Sequence, residues 1–263
     1  MRLGIAGVGR IGAFHATTLT GVESVDELLI ADADPLRAGE VAARLGATAA
    51  GSVEALLTSG AAGRIDGLVV AAATSAHAEL VAAAVQAGIP VLCEKPVAED
   101  LPAARGLLAA ANEAGATVVI GFQRRFDTGF LAARAAVASG ELGWLHTVRA
   151  STLDVAPPPA AYVAVSGGLF RDCAVHDIDS TRWVLGREVV SVYARGTNRG
   201  AAYFTEYDDV DSASALLTFD DGTVATLSAT RYNSFGHDIR LELAGSRASV
   251  AVGLDERTPL RSL

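Results

Sequence analysis

The sequence predicts an α/β protein in which a doubly wound parallel sheet precedes an α+β region with a mainly antiparallel, open sheet. Four observations favour this. In the first half, short aliphatic runs alternate with helical patterns, and a glycine-rich turn joins the first run to the first helix. In the second half, strand patterns follow one another, and one pair is separated by a hairpin signal, Asp220-Asp221-Gly222. We therefore predict two domains, 1–122 and 123–263.

The strands of the first domain are continuous apolar runs, which is typical of parallel strands covered on both faces. They are predicted at 2–6, 27–32, 48–50, 66–72, 90–93 and 117–122. The intervening helices are predicted at 10–20, 35–45, 53–59, 75–87 and 101–114. Asp100 is expected to cap the last of these, with Pro102 in its first turn.

The second domain is predicted to begin with a helix at 127–139, a long strand at 144–153 and, after a proline-rich loop, a helix from about 168 to 185. The remaining strands are predicted at 188–197, 210–220, 223–230, 239–244 and 247–252. Because these strands are joined by short turns, we expect an antiparallel sheet.

Composition excludes several classes of protein. The net charge of −9 and the lack of a basic run argue against nucleic-acid binding. The sequence has no charge-free run of about 18 apolar residues, so no membrane span is predicted. The first predicted strand begins almost at the N-terminus, so no secretory signal is expected. The only cysteines, Cys93 and Cys173, have no metal-ligand spacing. They favour a reducing cytoplasm and no metal, although two cysteines could also pair.

A dinucleotide-binding fingerprint, Gly7-Val8-Gly9-Arg10-Ile11-Gly12, lies between the first strand and the first helix, which is the context it requires. The glycines permit a tight turn, the approach of a pyrophosphate and close packing of helix on strand. Asp32 ends the second strand, where a carboxylate binds the ribose 2′-hydroxyl and repels a 2′-phosphate. A Rossmann domain that prefers NAD over NADP is predicted. Arg37 is close enough in sequence to complicate that preference.

Further cofactor contacts are expected where later strands end, because ligands of such sheets lie beyond the carboxyl ends of the strands. These candidates are Ala73, Thr74, His77, Glu94 and Lys95. His77 has three open interpretations, namely capping the loop, packing against it, or catalysis.

Lys95 is the only lysine among 21 basic residues, inside Glu94-Lys95-Pro96. A desolvated ammonium can exchange a proton whereas a guanidinium stays charged, so Lys95 is a candidate for proton chemistry or a surface lysine retained by chance. Asp172 and His176 are four residues apart on a predicted helix, which makes them either an oriented acid–imidazole pair or an ordinary surface pair. The preceding Gly167-Gly168 favours the first interpretation.

Five further polar residues are candidates for binding a polyhydroxylated ring. For each of them a surface or structural role is an equal alternative. They are Gln123, Arg125, Asp154, Tyr232 and Asn233.

Taken together, these motifs resemble the glucose–fructose oxidoreductase/inositol dehydrogenase family, most of all its myo-inositol 2-dehydrogenase branch. The resemblance covers the whole chain. It is carried by the glycine fingerprint with His15, by Glu94-Lys95-Pro96, by Gly121-Phe122-Gln123-Arg124-Arg125-Phe126-Asp127, and by Gly167-Gly168 through Asp172 to His176-Asp177.

The resemblance implies that Lys95, Asp172 and His176 are the catalytic set and that NAD accepts hydride from a cyclic polyol or sugar, with Asp172 and His176 also in the substrate site. It implies a cis Lys95-Pro96 bond. Two other functions stay open, an NAD-assisted glycosidase and a non-catalytic NAD-binding regulator. Family members continue past the point where this chain stops, so we expect part of the substrate pocket or of the interdomain clasp to be missing.

A homodimer or homotetramer is expected as well. Helices can cover only one face of the second-domain sheet, and the alternating pattern of Ala213–Phe219 leaves the other face for pairing between subunits.

Overall fold

The computed structural model describes residues 1–58 and 64–254. The chain forms two compact units, Met1–Gly121 and a second that begins at Phe122. The boundary lies one residue before the position at which the sequence pattern changes. Within the described ranges, no helix has the length and apolar character needed to cross a membrane.

The first unit alternates strands and helices throughout. Its strands are β1 Arg2–Ala6, β2 Glu27–Ala31, β3 Thr48–Ala49, β4 Gly67–Val70, β5 Val91–Cys93 and β6 Val118–Ile120. Its helices are α1 Arg10–Leu19, α2 Pro35–Leu45, α3 Val53–Leu57, α4 Thr74–Gln86 and α5 Leu101–Glu113. Each predicted element is present, with ends that differ by a few residues. Residue 59, at the end of the helix predicted over 53–59, lies outside the described residues.

All six strands are parallel, in the order β3-β2-β1-β4-β5-β6. The predicted doubly wound sheet is thereby confirmed. The chain reverses its direction of travel between β1 and β4, which creates a crevice at the carboxyl ends of these strands. Buried aliphatic clusters pack on both faces, one containing Ile5 and Ile30 and the other Leu68 and Val91. Burial on both faces explains the continuous apolar runs.

Asp side chains begin two helices of this unit. Asp34 accepts hydrogen bonds from the amides of Leu36 and Arg37 at the start of α2. Asp100 accepts one from Ala103 at the start of α5, as predicted, 2.8 Å away. Each carboxylate satisfies amides that have no partner within the helix and so sets where the helix begins.

The second unit contains helices and a sheet of its own. Its helices are α6 Thr128–Ala138, α7 Ala160–Ser166, α8 Val175–Leu185 and α9 Tyr203–Glu206. Its strands are β7 Leu145–Leu153, β8 Val189–Thr197, β9 Ser212–Phe219, β10 Val224–Thr230, β11 Asp238–Gly245 and β12 Ser249–Val252. A 3₁₀ helix spans Gln123–Phe126, and a π-helical turn spans Phe170–Ala174.

Three helical features of this unit differ from the sequence prediction. The helix expected from about 168 is instead a π-helical turn followed by α8. Helix α7 occupies part of the region predicted as a proline-rich loop, and α9 was not predicted. Both are short, at seven and four residues, so neither gives a long periodic pattern.

The second sheet has the order β12-β11-β7-β10-β9-β8. Its hairpin partners are antiparallel, and Gly222 turns the β9–β10 hairpin at φ +86°. The sheet is mixed, because β7 lies between β11 and β10 and runs parallel to β10. The expected mainly antiparallel sheet is confirmed with that one exception.

Helices α6 and α8 cover one face of this sheet with a buried cluster that includes Phe130, Val184, Leu217 and Leu227. Alternate residues of the strands point away from that core. They form a row across the sheet, in which each residue is paired with the next, made of Tyr193, Leu216, Thr226, Arg149 and Glu242. We call this row and the strand faces around it the outer face.

Candidate functional site

The glycine fingerprint forms a turn that only glycine can adopt. Gly7 has φ +90°, and a Cβ atom there would lie 2.5 Å from the Ala72 backbone. A Cβ on Gly12 would lie 1.9 Å from the Gly7 carbonyl oxygen. Above Gly9 the space is open, since a Cβ there would meet no atom of the described residues within 4 Å, and none of their side chains caps α1. The loop therefore fits a pyrophosphate, which can approach the uncapped helix amides.

Asp32 lies at the end of β2, where the fingerprint predicts an acidic residue. Its Oδ2 accepts a hydrogen bond from the Val8 amide at 2.7 Å, and its Oδ1 accepts one from the Asp34 amide at 2.9 Å. The side chain is only 6% exposed, and Arg37 approaches Oδ1 at 3.4 Å from α2. Two backbone donors fix the carboxylate beside the glycine turn, while half of the Arg37 side chain remains exposed.

The loop after β4 is joined to the loop after β5 by a buried imidazole. His77 Nδ1 lies 2.7 Å from the Pro96 carbonyl oxygen, and its Nε2 lies 3.0 Å from the Ala72 carbonyl oxygen. The ring thus packs between two backbone segments and is 2% exposed. Both ring nitrogens are engaged by the protein, which supports the packing interpretation of His77. Thr74 begins α4, and no side chain of the described residues caps that helix at Ala73.

Glu94 and Lys95 follow β5 at the same edge of the sheet. Glu94 Oε1 lies 2.7 Å from His15 Nε2 on α1, and Gly121 leaves room for the carboxylate. Burial raises the pKa of Glu94, but the hydrogen bond and charge of His15, with further help from Lys95, leave it below its ordinary value. Lys95 is half-buried, and the Lys95-Pro96 bond is cis, as expected.

In the second unit, Asp172 belongs to the π-helical turn and His176 to the first turn of α8. Gly167 and Gly168, both at positive φ, precede them. A Cβ on Gly168 would lie 2.9 Å from an Asp209 carboxylate oxygen, which also accepts a hydrogen bond from the Leu169 amide. This close contact with Asp209 therefore anchors the start of the π-helical turn. Single π turns are frequent at functional sites.

Asp172 accepts hydrogen bonds from a side chain on α7 and from another that lies 59 residues away in sequence. Tyr162 Oη donates to Oδ1 at 2.9 Å, and Arg231 Nη2 donates to Oδ2 at 2.7 Å. Burial and the neighbouring Asp172 carboxylate raise the pKa of Tyr162, so this hydroxyl stays a donor. Arg231 Nη1 also donates to Asp154 Oδ2 at 3.0 Å. We refer to Asp154, Tyr162, Asp172, Cys173 and Arg231 as the arginine cluster.

The remaining candidates for substrate contact have varied surroundings. Gln123 is exposed on the 3₁₀ helix, whereas Arg125 forms a two-pronged ion pair with Asp179 at 2.9 and 2.6 Å. Tyr232 Oη accepts a hydrogen bond from the Ala201 amide, and Asn233 Nδ2 donates to the Gly236 carbonyl. The structure brings Asp154 together with Asp172 through Arg231.

Sequence reasoning missed Tyr162 and Arg231. Tyr162 lies on the unpredicted helix α7, and Arg231 is one of twenty arginines without a motif around it. A further buried pair was also missed, in which Arg124 donates to Asp177 at 2.6 Å. An isolated arginine gives no local signal, since its partners are set by the tertiary fold.

The fold and the glycine turn define a class, the oxidoreductases with a Rossmann-type dinucleotide-binding unit. Residues 1–122 match the model of the oxidoreductase family with an NAD-binding Rossmann fold, and residues 130–251 match that of the GFO/IDH/MocA C-terminal domain. The chain therefore belongs to the GFO/IDH/MocA oxidoreductase family.

Individual relatives are also similar over most of their length. Myo-inositol dehydrogenase Hyg17 of Streptomyces leeuwenhoekii is 40% identical over 96% of this chain and 77% of its own. A myo-inositol dehydrogenase structure from Corynebacterium glutamicum has a TM-score of 0.89 at 35% identity, covering all of this chain and 78% of that one. A scyllo-inositol dehydrogenase from Lactobacillus casei, solved with NAD(H) and scyllo-inositol, has a TM-score of 0.88 at 27% identity, covering 97% and 76%.

Proposed function

We propose that this protein is an NAD-dependent dehydrogenase that oxidises a secondary hydroxyl of a cyclic polyol or sugar, with myo-inositol and its 2-keto product as the first candidates. The observation that carries the proposal is the 40% identity to a myo-inositol dehydrogenase over 96% of the chain. The first unit would bind NAD, and the second would bind the substrate and mediate assembly.

In this reaction the protein manages a proton and aligns the substrate. NAD, when bound, accepts the hydride. The Gly9 turn and the first turn of α1 would hold its pyrophosphate, and Asp32 its ribose. By resemblance to the family, His176 would take the proton of the reacting hydroxyl. Lys95 would stabilise the charge that develops in the reaction or relay the proton. Asp172, which is an acceptor toward Tyr162 and Arg231, would accept a hydrogen bond from a neighbouring substrate hydroxyl.

The experiment is a panel of polyols and sugars, including myo-inositol and scyllo-inositol, incubated with NAD and the purified protein while NADH absorbance is followed. We expect myo-inositol to give the fastest reduction of NAD and Asp172→Asn to lose it. Sugar release from glycosides without net NADH would support the glycosidase alternative. Tight NAD binding without turnover on any compound would support the regulator alternative and contradict the proposal.

We also propose that the protein works in the cytoplasm as a homodimer or homotetramer. Cys93 and Cys173 are free and buried, which is consistent with a reducing compartment. Tyr193 and Leu216, neighbours on the outer face, are 64% and 42% exposed, and such apolar exposure favours pairing between subunits.

A further inference from the structure

The arginine cluster is built around a guanidinium that is almost completely removed from solvent. The Arg231 side chain is 3% exposed, so it cannot bind a ligand itself without rearrangement. Its backbone amide donates to the Asp211 carbonyl oxygen at 2.8 Å, directly after β10 ends. Asp211 is buried as well and accepts hydrogen bonds from the amides of Arg199 and Gly200. The base of the Arg231 side chain is therefore fixed by the backbone around it.

The two ends of the guanidinium reach two carboxylates from different elements. Nη2 is bonded to Asp172 in the π-helical turn, and Nη1 to Asp154 just after β7. The Cys173 sulfur lies 2.8 Å from Nη1. Burial is the main cause that raises the pKa of Cys173, so the sulfur is a neutral thiol and not a competing anion. One arginine thus bridges two negative charges.

We propose that Arg231 is a positioning residue of the dehydrogenase reaction, which holds Asp172 as an ionised acceptor and sets its orientation relative to Asp154. The inference rests on the proposed function for its role in turnover. Since Tyr162 and Arg231 donate to different oxygens of Asp172, the carboxylate cannot rotate without losing a hydrogen bond. A lysine could not replace this bridge, because a single ammonium lacks the planar fork that reaches both carboxylates.

Other charged and titratable groups near Asp172 differ from Arg231 in their exposure or in the atoms they approach. On the same segment Arg171 is exposed, and His176 follows on α8. His237 lies 3.5 Å from Asp154, on the side of Oδ1, and is half-exposed. Arg231 combines near-complete burial with direct donation to the Asp172 carboxylate, so its charge is screened by solvent the least.

The test combines carboxyl titration with kinetics. Wild type, Arg231→Met and Arg231→Lys are labelled with ¹³C-aspartate, and the Asp172 resonance is assigned with Asp172→Asn. In Arg231→Met, the Asp172 carboxyl should titrate at higher pH than in the wild type, and the acidic limb of the kcat/KM profile should shift the same way. In Arg231→Lys the titration should return toward that of the wild type, while kcat stays about 10- to 100-fold low because the geometry is lost.

Arg240→Met is the matched control, since Arg240 lies on β11 and forms a two-pronged ion pair with buried Asp238 instead of a carboxylate of the arginine cluster. It should leave both the Asp172 titration and the pH profile unchanged. If Arg231→Met does not fold, Arg231→Lys provides the test, because its Asp172 titration should be close to that of the wild type while its kcat stays low.

An unshifted Asp172 titration in folded Arg231→Met, or wild-type kcat in Arg231→Lys, would overturn the proposal. The titration of the Asp172 carboxyl group can be measured whether or not the protein turns over a substrate. A wild-type protein that lacks polyol oxidation but keeps the Arg231-dependent titration would therefore reject the proposed function alone.

Discussion

At the residue scale, Lys95 is the most informative position, because it is the one amine side chain among the basic residues. Lys95→Arg keeps a positive charge and hydrogen-bond donors, but a guanidinium cannot release a proton and is bulkier. We expect kcat with myo-inositol to fall by roughly two or more orders of magnitude. NAD affinity should change much less, since the proposed pyrophosphate and ribose contacts are on other residues. Near-normal turnover would reject the role of Lys95 and leave His176 as the proton acceptor.

At the same scale, we expect Asp32 to set a preference for NAD over NADP. The Val8 and Asp34 amides fix the position of its carboxylate beside the glycine turn. Asp32→Ser removes that carboxylate, and we expect the ratio of the Kd for NADP to the Kd for NAD to fall by about tenfold or more. Asp34→Ser is the control, because serine can still cap α2. Tighter NADP than NAD binding by the unaltered protein would contradict the prediction.

At the element scale, the His15–Glu94 hydrogen bond ties α1 to the end of β5. The pKa of Glu94 is lowered in the folded protein, despite the opposing effect of burial, by His15 and Lys95. Its stabilisation is therefore present above the ordinary carboxyl pKa of 4.5 and is lost as the pH falls through the lower, folded value. Glu94→Gln should lower the free energy of unfolding by about 1 kcal/mol near neutral pH.

Below pH 4.5, the difference in unfolding free energy between wild type and Glu94→Gln should shrink, because the wild-type carboxylate becomes protonated. Urea unfolding of both proteins at a series of pH values measures this difference in unfolding free energy. Glu79→Gln, at an exposed position on α4, is expected to match the wild type throughout. A difference that grows toward low pH would have the wrong sign for this explanation.

For the whole molecule, the outer face of the second sheet predicts self-association. Light scattering at micromolar concentration should give the mass of a dimer or tetramer. Leu216→Glu places a charge at the apolar end of that face and should shift the mass toward the monomer. Leu108→Glu, at a 61% exposed position on α5 of the other unit, is the control and should leave the mass unchanged. A wild-type monomer across the micromolar range would contradict the prediction.

The sequence by itself determined the features that depend on neighbouring residues. Apolar runs, helix caps and the glycine fingerprint act over a few positions, so the parallel sheet and the turn at Gly7 could be predicted. Only the tertiary structure decided that β7 lies between β11 and β10, and that Arg231 meets Asp172 from 59 residues away. The reason is physical, because strand order and buried ion pairs are set by which distant surfaces pack together, and a single arginine carries no record of its partner.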